Sequence, residues 1–125
     1  MKQTIIITGH IPVKKNKWKY ARNGHVYKPQ ECVDFEDNVR DEVLVQRIRN
    51  IDDYVKEGIE IQATFLTGGK ERDLDGLLTT VVDALQDAGV FENDKMVNRY
   101  NNVFKHHVKE RTPKEEKATI TIIAL

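Results

Sequence analysis

Asp73 and Asp75 stand two residues apart where an extended segment enters a predicted helix, and Asp94 follows in the loop beyond that helix. Side chains alternate along an extended segment, so residues i and i+2 point the same way. The two aspartates can therefore converge on one point, with Asp94 joining them if its loop folds back. Hard oxygen ligands with no Cys or His between them suit Mg²⁺ or Mn²⁺ rather than zinc. Such a metal activates water and neutralises phosphate charge, which is the chemistry of phosphodiester cleavage. Asp75, Thr79 and Asp83 share one helix face at i, i+4 and i+8. Asp83 lies about 12 Å along the axis from Asp75 at roughly 1.5 Å per residue, so its expected role is support through water or another side chain. The structural alternative is that these acids only cap a helix and complement its dipole. An EF-hand is excluded, because Gly76 directly follows the second Asp and the closing Glu is missing.

The elements that must position these acids follow from periodicity. The β-branched run within Lys2–Ile11 predicts a strand ended by Pro12. A basic loop over 12–22 follows, then the turn signal Asn23-Gly24 and a short strand at His25–Tyr27. Cys32, Phe35, Val39 and Val43 recur at helical spacing within 30–49. Ile59, Ile61, Ala63 and Phe65 alternate with polar residues in a strand over 58–66. A second helix is expected from Asp73 or Asp75 to Ala88, with Gly89 at the position after its end, and strands at 96–108 and 118–124. The order predicts one α+β domain spanning 1–125, a two-layer fold with two main helices on one face of a mixed β-sheet.

The chain has 125 residues, 39% hydrophobic and 32% charged, an ordinary balance for a single soluble domain. Ile5-Ile6-Ile7 is the longest apolar run and cannot span a membrane. The lone Cys32 and the absence of a signal-like N-terminus fit a cytoplasmic location. Net charge is zero, but residues 1–30 hold seven Lys/Arg and no acid, leaving 13 of 20 basic and all 20 acidic residues, a net of −7, for the rest. Local fields steer polyanions more than the sum does. Within Lys14-Lys15-Asn16-Lys17-Trp18-Lys19-Tyr20, lysines suit phosphates and aromatics suit unpaired bases, the alternative being a solvated surface loop. His106 and His107 point to opposite faces of their strand and are read as structural.

Arg72-Asp73-Leu74-Asp75, Val82-Asp83-Ala84-Leu85, Ala88-Gly89-Val90 and Asn93-Asp94 before Val97 together resemble the RusA family of Holliday-junction resolvases, endonucleases often carried by phages and prophages. Ile11-Pro12-Val13-Lys14-Lys15 and Asn23-Gly24-His25-Val26-Tyr27-Lys28-Pro29 add a looser match. The resemblance implies metal-binding aspartates at Asp73, Asp75 and Asp94, and a Mg²⁺ cofactor that Mn²⁺ replaces. It also implies a homodimer making paired nicks across a four-way junction in DNA recombination and repair. DNA contacts would come from Lys14, Lys15, Asn16, Lys17 and Arg72. Two positions depart from the family pattern: Gly76 stands where Asn is usual, and Thr79 where a lysine important for catalysis is usual. Lys14, Lys15, Lys17 or Lys95 would have to supply that charge. If none does, the expected protein binds branched DNA with little or no turnover.

Overall fold

The strands are β1 (Lys2–Thr8), β2 (Lys19–Tyr20), β3 (Val26–Tyr27), β4 (Ile59–Thr67), β5 (Val97–His107) and β6 (Lys117–Ala124); the helices are α1 (Gln30–Val45) and α2 (Leu74–Asp87). The computed structural model describes residues 1–13, 19–20 and 26–125, with backbone alone at 19–20 and 26–27. Four strands form one sheet in the order β1-β6-β4-β5. β6 runs antiparallel to both β1 and β4, while β5 is parallel to β4. Parallel neighbours cannot be joined by a tight turn, and α2 provides the crossover. β2 and β3 make a separate two-stranded ribbon. β2 falls where the sequence predicted only loop, and the expected Asn23-Gly24 turn lies outside the described residues.

One face of the sheet is apolar. Ile5 and Ile7 of β1, Ile61 and Phe65 of β4, and Ile120 and Ile122 of β6 meet Phe35 and Val39 of α1 and Leu77, Val81 and Leu85 of α2 in one buried cluster. Each such side chain contributes on the order of 1.5–3 kcal/mol relative to exposure. On the opposite face Thr4, Gln62, Thr64, Thr119 and Thr121 remain exposed or half-buried. The α+β fold with both helices on one side of a mixed sheet is therefore the one the periodicity predicts.

Element ends differ from expectation for identifiable reasons. β1 stops at Thr8 rather than Ile11 because Gly9 turns the chain at φ +115°. α1 stops at Val45 rather than 49, since Arg47 takes φ +55°. Gln46 then bonds both the N–H and the carbonyl of Ile6, at 2.9 and 2.7 Å, and so covers the outer edge of β1. α2 behaves as predicted, with Ala88 at its C-cap and Gly89 beyond it at φ +81°. No helix is long and apolar enough to cross a membrane among the described residues.

The end of the sheet nearest the start of α2 is built around a buried ion pair. Glu116, whose side chain is 1% exposed, is paired with the Arg72 guanidinium. It also accepts from Gly68 N at 3.0 Å and contacts His10 Nδ1 at 2.6 Å. Arg72 donates as well to the carbonyls of Ile11 and Gly68. Burial alone would push the Glu116 carboxyl up. Bonds from Arg72, Gly68 and His10, with the Arg72 charge, outweigh it and hold the group below the usual carboxylate range. A buried charge that loses its partner is strongly destabilising.

Gly76 is fixed by packing. A Cβ there would lie 2.8 Å from Val13 Cγ1, so the residues after β1 press directly onto the first turn of α2.

Two outcomes follow from this packing. Glu116→Gln should lose on the order of 3 kcal/mol in urea denaturation at neutral pH. Because the folded carboxyl is lowered, that gap is complete above about pH 4.3, the unfolded value, and closes as pH falls through the lower folded one. A gap unchanged by pH would refute the assignment. Gly76→Ala gains up to about 1 kcal/mol of helix propensity but costs about 1–3 kcal/mol in overpacking. It should therefore destabilise the native chain yet stabilise a Val13→Ala background, a sign change readable in a double-mutant cycle.

Candidate active site

Two of the predicted ligands come together, but not by strand alternation. α2 starts at Leu74, so Asp75 already lies in its first turn, while Asp73 at the N-cap keeps extended angles (φ −65°, ψ 142°). The bend from extended to helical backbone turns both exposed carboxylates toward one cleft of about 260 Å³, lined also by Val13, Lys70, Glu71, Arg72 and Gly76. Asp73 makes no capping hydrogen bond to the helix. The simplest structural account of that residue, a side-chain N-cap, is thus not realised. The positive end of the α2 dipole opens into the same cleft and favours an anion there.

Asp94 sits elsewhere. Its N–H donates to Gln86 Oε1 at 2.7 Å, on the last turn of α2, in a short 3₁₀ turn leading into β5. The 14 residues of α2 rise about 1.5 Å each, which places Asp94 roughly 20 Å from Asp73 along the helix. Asp83 belongs to Asp94's end, in a polar groove with Lys28, Glu36, Gln86 and Asp87. Tyr100 confirms this: its phenol is pushed up by partial burial, then by the charges of Asp94 and Asp83. Among the described residues no three of His, Cys, Asp and Glu are grouped to hold a metal. The pair Asp73 and Asp75 nevertheless fits Mg²⁺, which commonly takes one or two carboxylates and completes its shell with water and substrate phosphate.

The basic residues are also sorted by the fold. Lys14, Lys15, Asn16 and Lys17 lie outside the described residues. Arg72, expected to meet DNA, is 13% exposed and turns its guanidinium inward to Glu116. Lys105 of β5 was not singled out by the sequence. Its ammonium donates to the Arg72 carbonyl at 2.8 Å and to Glu71 at 3.1 Å. That hydrogen bond, then the charges of Lys105 and His107, lowers the Glu71 carboxyl. Only the β4–β5 register, pairing Phe65 with Lys105, brings this lysine to the mouth of α2. Thr79 donates its hydroxyl back to the Asp75 carbonyl at 2.8 Å and offers the cleft no cation.

A larger cavity of about 360 Å³ adjoins the acid cleft beneath His10, Pro12 and Pro113. Its one buried carboxylate, Glu116, is already committed to Arg72.

Comparison with known proteins bears on the family. The family model described as Endodeoxyribonuclease RusA matches residues 10–122. The crossover junction endodeoxyribonuclease RusA of Aquifex aeolicus (strain VF5) is 27% identical over 107 residues, covering 84% of this chain and 82% of that protein. Among solved structures, a 2C-methyl-D-erythritol 2,4-cyclodiphosphate synthase from Plasmodium vivax aligns at TM-score 0.30 and 9% identity, covering 99% of this chain and 96% of that one. Another synthase of the same name aligns at TM-score 0.26 and 15% identity, covering 77% of this chain and 53% of that one. Similarity this low carries no argument about fold or activity. The match over residues 10–122 does: the chain belongs to the RusA family of endodeoxyribonucleases.

Proposed function

We propose that this chain is a Mg²⁺-dependent, structure-selective endodeoxyribonuclease that acts as a homodimer and resolves four-way DNA junctions by paired nicks in recombination and repair. The observation that carries the reading is the pair of exposed aspartates, Asp73 and Asp75, lining one cleft at the positive end of α2. A divalent metal held there would lower the pKa of a water and neutralise charge on the scissile phosphate and leaving oxygen. Mn²⁺, with similar hard-oxygen preferences, would substitute.

The chain's own residues have separate tasks. Asp73 and Asp75 would hold the metal at the mouth of α2. Arg72 fixes the backbone from which both project, through Glu116. Lys14, Lys15, Asn16 and Lys17 belong to the acid-free first thirty residues and would hold backbone phosphates, giving salt-sensitive binding. Asp94 lies one helix length away in the same chain. In a homodimer it would complete the aspartate set of a second copy, with Asp83 supporting it from the same end of α2.

A second reading is a branched-DNA-binding protein with little turnover, favoured by Thr79, whose hydroxyl is tied to its own helix.

The test is cleavage of a mobile four-way junction and of a linear duplex of matching sequence, with Mg²⁺, Mn²⁺ or EDTA. The wild type should make symmetric, metal-dependent nicks in the junction alone. Asp75→Asn should cut at least about 100-fold more slowly, the scale on which loss of a charge-stabilising group acts, and bind the junction as tightly as wild type. Binding without nicks by the wild type would select the second reading. Neither binding nor nicking would return the acids to a structural role. A heterodimer of Asp75→Asn with Asp94→Asn should regain one intact site and make single nicks; complete inactivity would refute the shared site.

A further inference from the structure

A phosphodiester entering this cleft meets two carboxylates, and an attack that adds negative charge at phosphorus is helped by a positioned cation as well as by a metal. The described cations around the start of α2 are mostly engaged. Arg72 is paired beneath the surface with Glu116, and Lys105 is bonded to the Arg72 carbonyl and Glu71. Lys70 is different. It is exposed, it lines the same cleft as Asp73 and Asp75, and no hydrogen bond or ion pair holds its ammonium among the described residues.

The backbone beneath Lys70 is anchored while its side chain is not. Gly68 N is held by Glu116 at 3.0 Å and Gly69 N by the Lys109 carbonyl at 3.0 Å. A side chain at Gly68 would collide with the Arg111 carbonyl, and Gly69 turns the chain at φ +69°. These contacts fix where the lysine starts, three residues before Asp73. Its long flexible stem gives a compact charge the reach to sit over the cleft it lines, beside the larger cavity it also borders.

We propose that Lys70 is a catalytic residue of this nuclease, its ammonium donating to a non-bridging oxygen of the scissile phosphate and stabilising the charge that grows there. The proposal rests on the nuclease reading given above. In the step it assists, a water oxygen bonds to phosphorus as the bond from phosphorus to O3′ breaks with its electron pair. The water gives a proton to solvent and O3′ takes one from solvent, leaving a 5′-phosphate and a 3′-hydroxyl. Lys70 keeps its proton throughout.

The experiment is single-turnover cleavage of a mobile four-way junction with Mg²⁺ at saturating protein, with junction affinity measured separately in EDTA. Wild type, Asp75→Asn, Lys70→Ala, Lys70→Arg and Lys70→Ala/Thr79→Lys are compared. Lys70→Ala should cut on the order of 100-fold more slowly while its affinity changes less than about threefold, and Lys70→Arg should stay within about tenfold of wild type. Thr79 is exposed one turn beyond Asp75, so a lysine there brings an ammonium to the same acids by another route and should restore much of the lost rate. Lys70→Ala cutting at the wild-type rate, with Asp75→Asn inactive, overturns the Lys70 role and leaves the nuclease reading standing. Equal losses of rate and affinity would make Lys70 an ordinary phosphate contact and also overturn it. A wild type that does not nick, or an Asp75→Asn variant that nicks normally, overturns both.

Discussion

The Glu116 carboxylate and the Arg72 guanidinium lie almost wholly under the surface, and neither is tolerable there without the other. Around them close the turn after β1, the exit of β4, the start of β6 and the entrance to α2, segments far apart in the chain. His10, Ile11 and Gly68 satisfy the remaining capacity of the pair. Since Arg72 directly precedes Asp73, the ion pair sets the origin from which both cleft aspartates project. The site is thereby attached to the rigid end of a sheet rather than to a free loop.

Satisfying that pair has an electrostatic consequence. Arg72 and Lys105 direct their donors into the protein at the base of the cleft, the one to Glu116 and the other to the Arg72 carbonyl. They rigidify the acid-bearing segment but present little charge outward. Among the described residues, positive potential at the cleft comes from the α2 N-terminus and from the exposed Lys70 that lines it. A chain of zero net charge thus carries a local field of mixed sign, with acids at both ends of α2 and Lys70, Arg72 and Lys105 at its start.

The two departures from the family pattern have different physical standing. Gly76 is accounted for by Val13, which occupies the space a side chain would need, so the glycine and the residues after β1 form one packed unit. Thr79 turns its hydroxyl back onto its own helix and takes no part in the cleft. With threonine at that position α2 brings no cation to the cleft, whereas Lys70, just before Asp73, lines it. At the far end, Asp94 and Asp83 share the neighbourhood of Tyr100. The acids are therefore distributed along α2 in one chain, not gathered at one point.

Local patterns determined much by themselves. Alternating Ile59, Ile61, Ala63 and Phe65, the helical spacing of Phe35, Val39 and Val43, and Gly89 after α2 report elements whose cause lies within a few residues. The acidic stretch from Arg72 to Asp94 likewise sufficed for the family, because residue types and spacing are linear properties. Strand partners and side-chain destinations are not. Arg72 looked available to DNA until Glu116, 44 residues later, claimed it. Lys105 carried no signal until the parallel pairing of β5 with β4 delivered it to Arg72. The convergence of Asp73 with Asp75 came from the bend into α2, and the distance to Asp94 from the length of that helix. Long-range pairing of charges depends on which elements become neighbours, and only burial of the common apolar face decides that.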